Sequence, residues 1–440
     1  MNNPLLSYYG DDLTGSTDVM EALASNGIPT VLFLEKPDAA QRARFSHCRA
    51  LGLAGTSRSQ TPNWMDTHLK ADLIWLKSLN AEICHYKVCS TFDSSPETGS
   101  IGRAIDIGQK VFAQAQVPLI VGAPQLKRYT AFGNLFAAYQ GQNYRIDRHP
   151  VMSRHPVTPM HEADLRVHLQ QQTASSIGLI DLTTLHMAEA QQRHDRVRAN
   201  TAAILMFDVA DPTSQHHAGQ ALWAMRKAGG YFVAGSSGVE YALLGEWQRL
   251  GLAGARPSFA SPGAVDRMAV VSGSCSPTTE RQIRHAQAHG FDTIALDPKA
   301  LASGASGPID AAIRAGLHHL AEGRSVILHT ALGTTTEIDT TLDASGRKAI
   351  GRGLGKIQAA LMERAGLRRG VIAGGDTSSH ALTELEIYAL TTCLPLPATP
   401  GSPLCTAFSP NPAFNGVQIA LKGGQVGADD YFSALREGRA

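Results

Sequence analysis

With 440 residues, the chain exceeds one ordinary domain, and two or three are expected. A hydrophobic share of 43% beside 18% charged residues describes a soluble globular protein with ample core. A formal net charge of +1, with basic residues scattered along the chain, gives no electrostatic case for nucleic acid or an acidic membrane surface.

The first predicted elements are a strand, a loop and a helix. Residues 5–9 are apolar, Gly10-Asp11-Asp12-Leu13-Thr14-Gly15-Ser16-Thr17-Asp18 follows, and Val19, Met20 and Leu23 recur at helical spacing. In open α/β sheets, ligands bind outside the carboxyl ends of strands, where helix N-termini also present free N–H groups. Adjacent carboxylates there repel one another, so the pair is expected to serve a base, a metal or a sugar hydroxyl. The competing reading is helix capping by Thr14 and Asp18, with Asp11 and Asp12 merely solvated.

Further strands are predicted at 30–34, 50–54, 83–88, 118–121, 177–180, 204–209 and 231–234. Helical patterns fall near 17–26, 62–79, 97–115 and 131–140. The alternation implies a mostly parallel sheet covered by helices. Residues 251–265 (GLAGARPSFASPGAV) lack a period and read as a linker. Strands then resume at 268–272, 293–296, 325–329, 370–373 and 417–421, with a helix opening at Ser276-Pro277. The expected fold is α/β, with two domains, each a mostly parallel sheet flanked by helices, and an active-site cleft between them. The boundaries are 1–250, a linker over 251–266, and 267–440.

The six cysteines (Cys48, Cys84, Cys89, Cys275, Cys393, Cys405) show no CxxC spacing, which points to free thiols in a reducing compartment. The N-terminus lacks a signal-peptide pattern and no stretch approaches a membrane span. A cytoplasmic protein is expected.

Several strand-end clusters carry candidate chemistry. Arg58, in Thr56-Ser57-Arg58-Ser59, offers a planar fork of donors for a carboxylate or phosphate; the alternative is a surface arginine. Lys87-Val88-Cys89-Ser90-Thr91-Phe92-Asp93-Ser94 combines a cation, hydroxyls and a carboxylate suited to a polyhydroxy acid. Nothing near Cys89 in sequence forms a Cys–His pair, and it reads as a small core thiol. Gly122-Ala123-Pro124-Gln125 is another strand-end loop. His149, His155 and His161 recur every six residues among prolines, a spacing that fits neither one helix face nor a metal site.

The second half carries three glycine loops: Gly273-Ser274-Cys275-Ser276, Gly374-Gly375-Asp376-Thr377-Ser378 and Lys422-Gly423-Gly424-Gln425-Val426-Gly427. Each follows an apolar strand and the first two open helices, which suits nucleotide phosphates better than three unrelated tight turns. Gly351-Arg352-Gly353-Leu354-Gly355-Lys356 has the wrong spacing for a P-loop, and no GxGxxG follows the first strand.

Together these segments resemble the four-carbon acid sugar kinase family. GDDLTGSTD is similar to its opening ADDFTGATD, TSRS to its SRS loop, KVCSTFDS to its K-x-CSTFDS segment, and HPVTPM (155–160) to its HPxTPM motif. GSCSPTT, GGDTS and KGGQVG resemble its GSCS, GGETS and K-x-G-x-x-G loops, so the likeness runs from about residue 8 to about 427. Departures are Gly10 for Ala, Leu13 for Phe, Asp376 for Glu, and Gly55-Thr56 before Ser57. They leave the charge of the nucleotide loop intact and bear on the acid-sugar pocket.

The resemblance implies an N-terminal domain for the acid sugar and a C-terminal domain for ATP. ATP with Mg2+ would phosphorylate threonate, erythronate or a 3-oxo-tetronate in carbohydrate catabolism; a branched or five-carbon keto acid such as 3-oxo-isoapionate is the alternative acceptor. Asp11, Asp12, Arg58, Lys87, Ser90, Thr91 and Asp93 would face the acid, and Ser274, Gly374, Gly375, Asp376, Thr377 and Gly424 would face ATP. In the mechanism this suggests, Asp12 or Asp11 accepts the hydroxyl proton, Arg58 and Lys87 take the carboxylate or offset developing charge, Mg2+ bridges the phosphates with few protein ligands, and domain closure excludes water. The expected partners are small molecules, with no nucleic acid or membrane; a homo-oligomer is compatible with the sequence. Two rival classes stand beside the kinase: an oxidoreductase, against which the missing GxGxxG counts, and a non-catalytic nucleotide-responsive binding protein.

Overall fold

The computed structural model describes residues 3–155, 157–333, 344–424 and 426–440, with the backbone alone for Ala344 and Asp376. It falls into two compact units. One comprises residues up to Val31 together with Ala40–Pro257, and the other Leu32–Ala39 together with Ser258–Ala440.

Seven parallel strands form the main sheet of the first unit, in the order Ala50–Ala54, Leu6–Gly10, Ile83–Lys87, Tyr231–Gly235, Val117–Ile120, Ile204–Phe207 and Ile177–Ile180. Most are buried along their whole length, as expected for continuous apolar runs with helices on the sheet. The flanking helices start where the sequence supplies caps: Ser100 opens Ile101–Phe112, and Asp211 with Ser214 forms a capping box ahead of Pro212–Met225. One predicted helix of this unit is replaced by strands. Residues near 131–140 form no helix; Arg128–Ala131, Asn134–Tyr139 and Gln142–Arg145 make a separate antiparallel sheet. Phe132 and Gly133 both take positive φ, at 52° and 81°, which reverses the chain between the first two strands. Leu135 and Ala137 then point inward with period two.

The second unit is built on five parallel strands, in the order Phe291–Ala295, Ser325–His329, Ala269–Ser272, Arg369–Ala373 and Gln418–Lys422. Two antiparallel strands not predicted from sequence, Leu404–Phe408 and Ala389–Leu394, extend it. Leu32 and Phe33 belong to this unit because they pair antiparallel with Leu390 and Ala389. The core gathers Val270, Ile283, Phe291, Ile327, Val371 and Phe432. The segment 351–356, set aside above as a P-loop, lies inside the helix Ala344–Ala365. Its glycines serve packing: a Cβ on Gly355 would fall 2.6 Å from Ala381 Cα, and one on Gly351 would touch the His380 side chain.

Candidate active site

In the first unit, register brings the sequence clusters to one edge. Gly10 lies opposite Ala54 on one side and Lys87 on the other, and Lys87 lies opposite Gly235. The loops after these strands therefore leave the sheet together. Backbone hydrogen bonds tie them: Asp11 N–H donates to the Lys87 carbonyl at 2.9 Å, and Arg58 N–H to the Asp11 carbonyl at 3.1 Å.

Asp12 is the N-cap of the helix Leu13–Ser25. Its Oδ1 accepts from Gly15 N at 2.5 Å, while Oδ2 accepts from Arg58 Nη1 at 2.7 Å. The second arm of the same guanidinium reaches Asp93, with Nη2 at 3.0 Å from Oδ1 and 2.9 Å from Oδ2. Asp93 also accepts from Thr91 Oγ1 at 2.5 Å and from Thr158 Oγ1 at 3.1 Å. Burial would raise the Asp93 pKa, but Arg58 and the Thr91 hydroxyl hold it below the usual carboxylate range. Burial likewise works against charge on Arg58, and Cys89, Asp93 and Asp12 together hold its pKa well above the ordinary value.

Lys87 is buried. Its Nζ donates to the Val88 carbonyl at 3.0 Å and stands 3.8 Å from Asp18 Oδ2. Burial opposes its charge too, and Asp18 followed by Asp11 holds the pKa above the ordinary value. Asp11 is the outlier. It is 4% exposed, its Oδ1 has no hydrogen-bond partner, and burial, with Asp12 adding to it, pushes its pKa up to about 7. Asp12, by contrast, keeps a side chain 30% exposed. Ser90 is half-buried beside them.

The raised Asp11 pKa has a consequence for stability. Between about pH 4 and 7, the folded chain keeps a proton that the unfolded chain releases, so this group's stabilising contribution declines as pH rises through 7. Asp11→Asn, which mimics the protonated form, is expected to unfold slightly above the unliganded wild type at pH 5, where the penalty has only begun to accrue, and by a clearly larger margin of several degrees at pH 8. Thermal unfolding at the two pH values checks this; an equal difference at both would refute it.

In the second unit, Ser272, Ala373 and Lys422 stand side by side at the carboxyl ends of their strands. Ser276 caps the helix Pro277–Ala288 by accepting from Thr278 N at 3.1 Å. Gly374 caps Gly375–Glu384 with φ at +119°; a Cβ there would meet Thr377 Oγ1 at 3.0 Å and Ser274 N at 3.4 Å. Ser274 Oγ lies 3.0 Å from Thr279 Oγ1, which donates to the Gly424 carbonyl at 3.2 Å. The structure thus brings Ser274, Gly374, Thr377 and Gly424 together, and Gly375 opens onto free space. The side chain of Asp376 lies outside the described residues.

Sequence reasoning left out several members of these clusters. Thr158 and His155 fall in the HPVTPM segment, where the Thr158 N–H donates to His155 Nδ1 at 3.1 Å. Asp18 lies in the opening motif and Thr279 just after GSCS. Lys422 opens the third glycine loop yet carried no assigned role. It is fully buried, and its Nζ donates to Thr279 Oγ1 at 2.9 Å, to the Gly423 carbonyl at 2.8 Å and to the Gly424 carbonyl at 3.4 Å. Among the described residues no carboxylate pairs with it, and burial lowers its pKa to about 7.

Comparison with known proteins matches a sugar-binding N-terminal domain to residues 6–243 and a nucleotide-binding C-terminal domain to residues 269–432. The chain is 47% identical to a 3-oxo-isoapionate kinase of Paraburkholderia graminis, covering 99% of this chain and 94% of that one. A 3-oxo-tetronate kinase of Cupriavidus necator is 29% identical, with 99% and 98% covered. A solved structure from Salmonella typhimurium LT2 superposes with a TM-score of 0.78 at 23% identity, covering 99% of both chains. The Haemophilus influenzae protein HI1011 gives 0.71 at 22% identity, covering 97% and 98%. At such identities the structural likeness speaks for the fold alone.

Proposed function

We propose, from the premise that this chain belongs to the four-carbon acid sugar kinase family and is an ATP-dependent sugar-acid kinase, that its acceptor is a keto acid of the 3-oxo-isoapionate type. One observation carries the choice of acceptor. Identity to the 3-oxo-isoapionate kinase is 47%, whereas the 3-oxo-tetronate kinases compared stand at 26–30%.

In this reading residues 1–250 hold the acid and 267–440 hold the nucleotide, joined by 251–266. Asp12 accepts the proton of a terminal hydroxyl as its oxygen bonds to the γ-phosphorus. The bond from that phosphorus to the bridging oxygen breaks, and ADP leaves. Asp12 is preferred over Asp11 as the base because it is accessible to a diffusible acid. Arg58 holds Asp12 and Asp93 in place, Lys87 offsets charge beside them, and Ser90, Thr91 and Asp93 bind hydroxyls. Ser274, Gly374, Gly375, Asp376, Thr377 and Gly424, with Lys422, cradle the phosphates. Bare glycine backbone and a buried cation that no carboxylate among the described residues pairs with suit a polyphosphate. Mg2+, arriving with ATP, neutralises phosphate charge. No helix among the described residues is long and apolar enough to cross a membrane. The free thiols of all six cysteines support a reducing, cytoplasmic setting.

ADP release from ATP and Mg2+ against 3-oxo-isoapionate, D- and L-threonate, D- and L-erythronate and their 3-oxo forms, with a no-acid control, tests the reading. The highest kcat/KM is expected with 3-oxo-isoapionate. A clear preference for a four-carbon acid would move the assignment to that acid. ADP formation that no acid stimulates would count against the kinase assignment on this panel.

A further inference from the structure

Both cations at the acid-sugar cluster are already matched. Arg58 is bound on one side by Asp12 and on the other by Asp93, and Lys87 is held by Asp18 and the field of Asp11. An acid substrate entering there meets four carboxyl groups, and its own carboxylate needs another partner.

A third cation stands on the same edge of the sheet. The strand Val117–Ile120 ends beside Gly235 and leads into the loop 121–127, and Ser236 N–H donates to the Ile120 carbonyl at 2.9 Å. Ala123 bridges antiparallel to Arg128, so the turn returns the chain at once and places Arg128 at the strand-end rim. Arg128 Nη1 donates to the carbonyls of Leu126 and Lys127, each at 3.1 Å. Its Nε is shut off from water with no hydrogen-bond partner, and no carboxylate among the described residues pairs with the guanidinium. Burial lowers its pKa, opposed only by the Cys89 thiol and the Tyr129 phenol. His149, which also feels Arg128, supplies no counter-charge: burial keeps it neutral, and its Nδ1 accepts from the N–H groups of Val151 and Met152 at 3.2 Å each. Leaving a guanidinium N–H buried and unpaired is costly unless a ligand supplies the acceptor.

Strand order links this arginine to the acid cluster. Only Tyr231–Gly235 separates Val117–Ile120 from Ile83–Lys87, so the loops leading to Arg128 and to Cys89 leave the same sheet edge, and Cys89 Sγ lies 3.0 Å from Thr91 Oγ1, which donates to Asp93. From this arrangement we infer that Arg128 receives the carboxylate of the acid substrate, with the hydroxylated chain laid along Ser90, Thr91 and Asp93 towards Asp12. A guanidinium with an unpaired N–H and, among the described residues, no carboxylate beside it suits a carboxylate ligand, and it makes the site select acids over neutral polyols. The inference rests on the kinase reading and adds to it the residue that recognises the acid.

The test compares the panel acid of highest kcat/KM with its own primary amide, in wild type, Arg128→Gln and Arg128→Lys. Wild type is expected to prefer the acid by about 30-fold or more in kcat/KM. Arg128→Gln should raise KM for the acid about 10- to 100-fold, bring the acid-to-amide preference close to one, and leave KM for ATP within about 2-fold. Arg128→Lys, which keeps the charge and loses the fork, should recover part of the preference. An Arg128→Gln enzyme that still prefers the acid as wild type does would overturn the inference. So would a wild type indifferent to acid and amide, a result that needs no variant to fold. Failure of the kinase reading looks different: wild type would then form no ADP in response to any acid.

Discussion

Asp12→Asn is expected to lower kcat for the acid-dependent reaction about 10²- to 10⁴-fold while leaving KM for ATP within about 2-fold. Asparagine keeps an oxygen to accept from Gly15 N, so the cap on the helix Leu13–Ser25 survives. What it loses is the carboxylate that accepts a proton and that faces Arg58 Nη1 at 2.7 Å. Steady-state ADP release beside an ATP-binding titration separates chemistry from nucleotide binding. Near-normal turnover would remove Asp12 as the base and leave Asp11, whose pKa near 7 suits proton transfer at neutral pH despite its burial. Asp11→Asn, assayed in parallel, then decides between them.

The second large effect is expected in the other unit. Lys422→Met should reduce kcat/KM for ATP about 10²- to 10³-fold, the range found when one preorganised donor to a charged group is lost, with KM for the acid within about 3-fold. The reason is the company Lys422 keeps. Among the described residues its three partners are neutral oxygens, so a bound phosphate would set an anion beside a cation that none of them neutralises. Methionine fills the same volume without the charge. A pH series gives a signature that mere packing would not. With a pKa near 7 in the free protein, Lys422 is charged below that pH and must take up a proton to meet ATP above it. KM for ATP in wild type is therefore expected to rise between pH 7 and 9, and the slope should vanish in Lys422→Met. A wild-type profile flat across that range would show that Lys422 does not meet the phosphates as a titrating cation.

Much of the parallel architecture was legible because buried parallel strands are short apolar runs with polar, glycine-bearing loops after them. Residues 50–54, 83–88 and 325–329 read correctly on that ground. The antiparallel pieces did not. Asn134–Tyr139 is apolar enough to pass for a helix, and only the positive φ values at Phe132 and Gly133 commit it to a hairpin. Ala389–Leu394 and Leu404–Phe408 are separated by Pro395, Pro397, Pro400 and Pro403, a spacing that reads as loop. At the candidate site, residue types were visible but pairings were not. Arg58 bonds to Asp12 and Asp93, 46 and 35 positions away, and no local pattern encodes such partners. Burial was equally hidden. Nothing in KGGQVG announces that its lysine is shut off from water, nor in GDD that the first aspartate is buried and the second only half-buried.

The excursion of Leu32–Ala39 into the second unit bears on how the chain is made. Phe33 pairs with Ala389, so that contact waits for 356 further residues to be synthesised. At about 5–20 residues per second, the delay is roughly 20–70 s. Throughout it, Leu32 and Phe33 have left the ribosome among the earliest residues while their antiparallel partners, Leu390 and Ala389, do not yet exist. The first unit's remaining strands are all available once residue 235 has emerged. An apolar edge left open for that long is a natural client for a holding chaperone, and a ribosome stalled shortly after the linker would carry a nascent chain whose first fifty residues include a strand still waiting for its antiparallel neighbour.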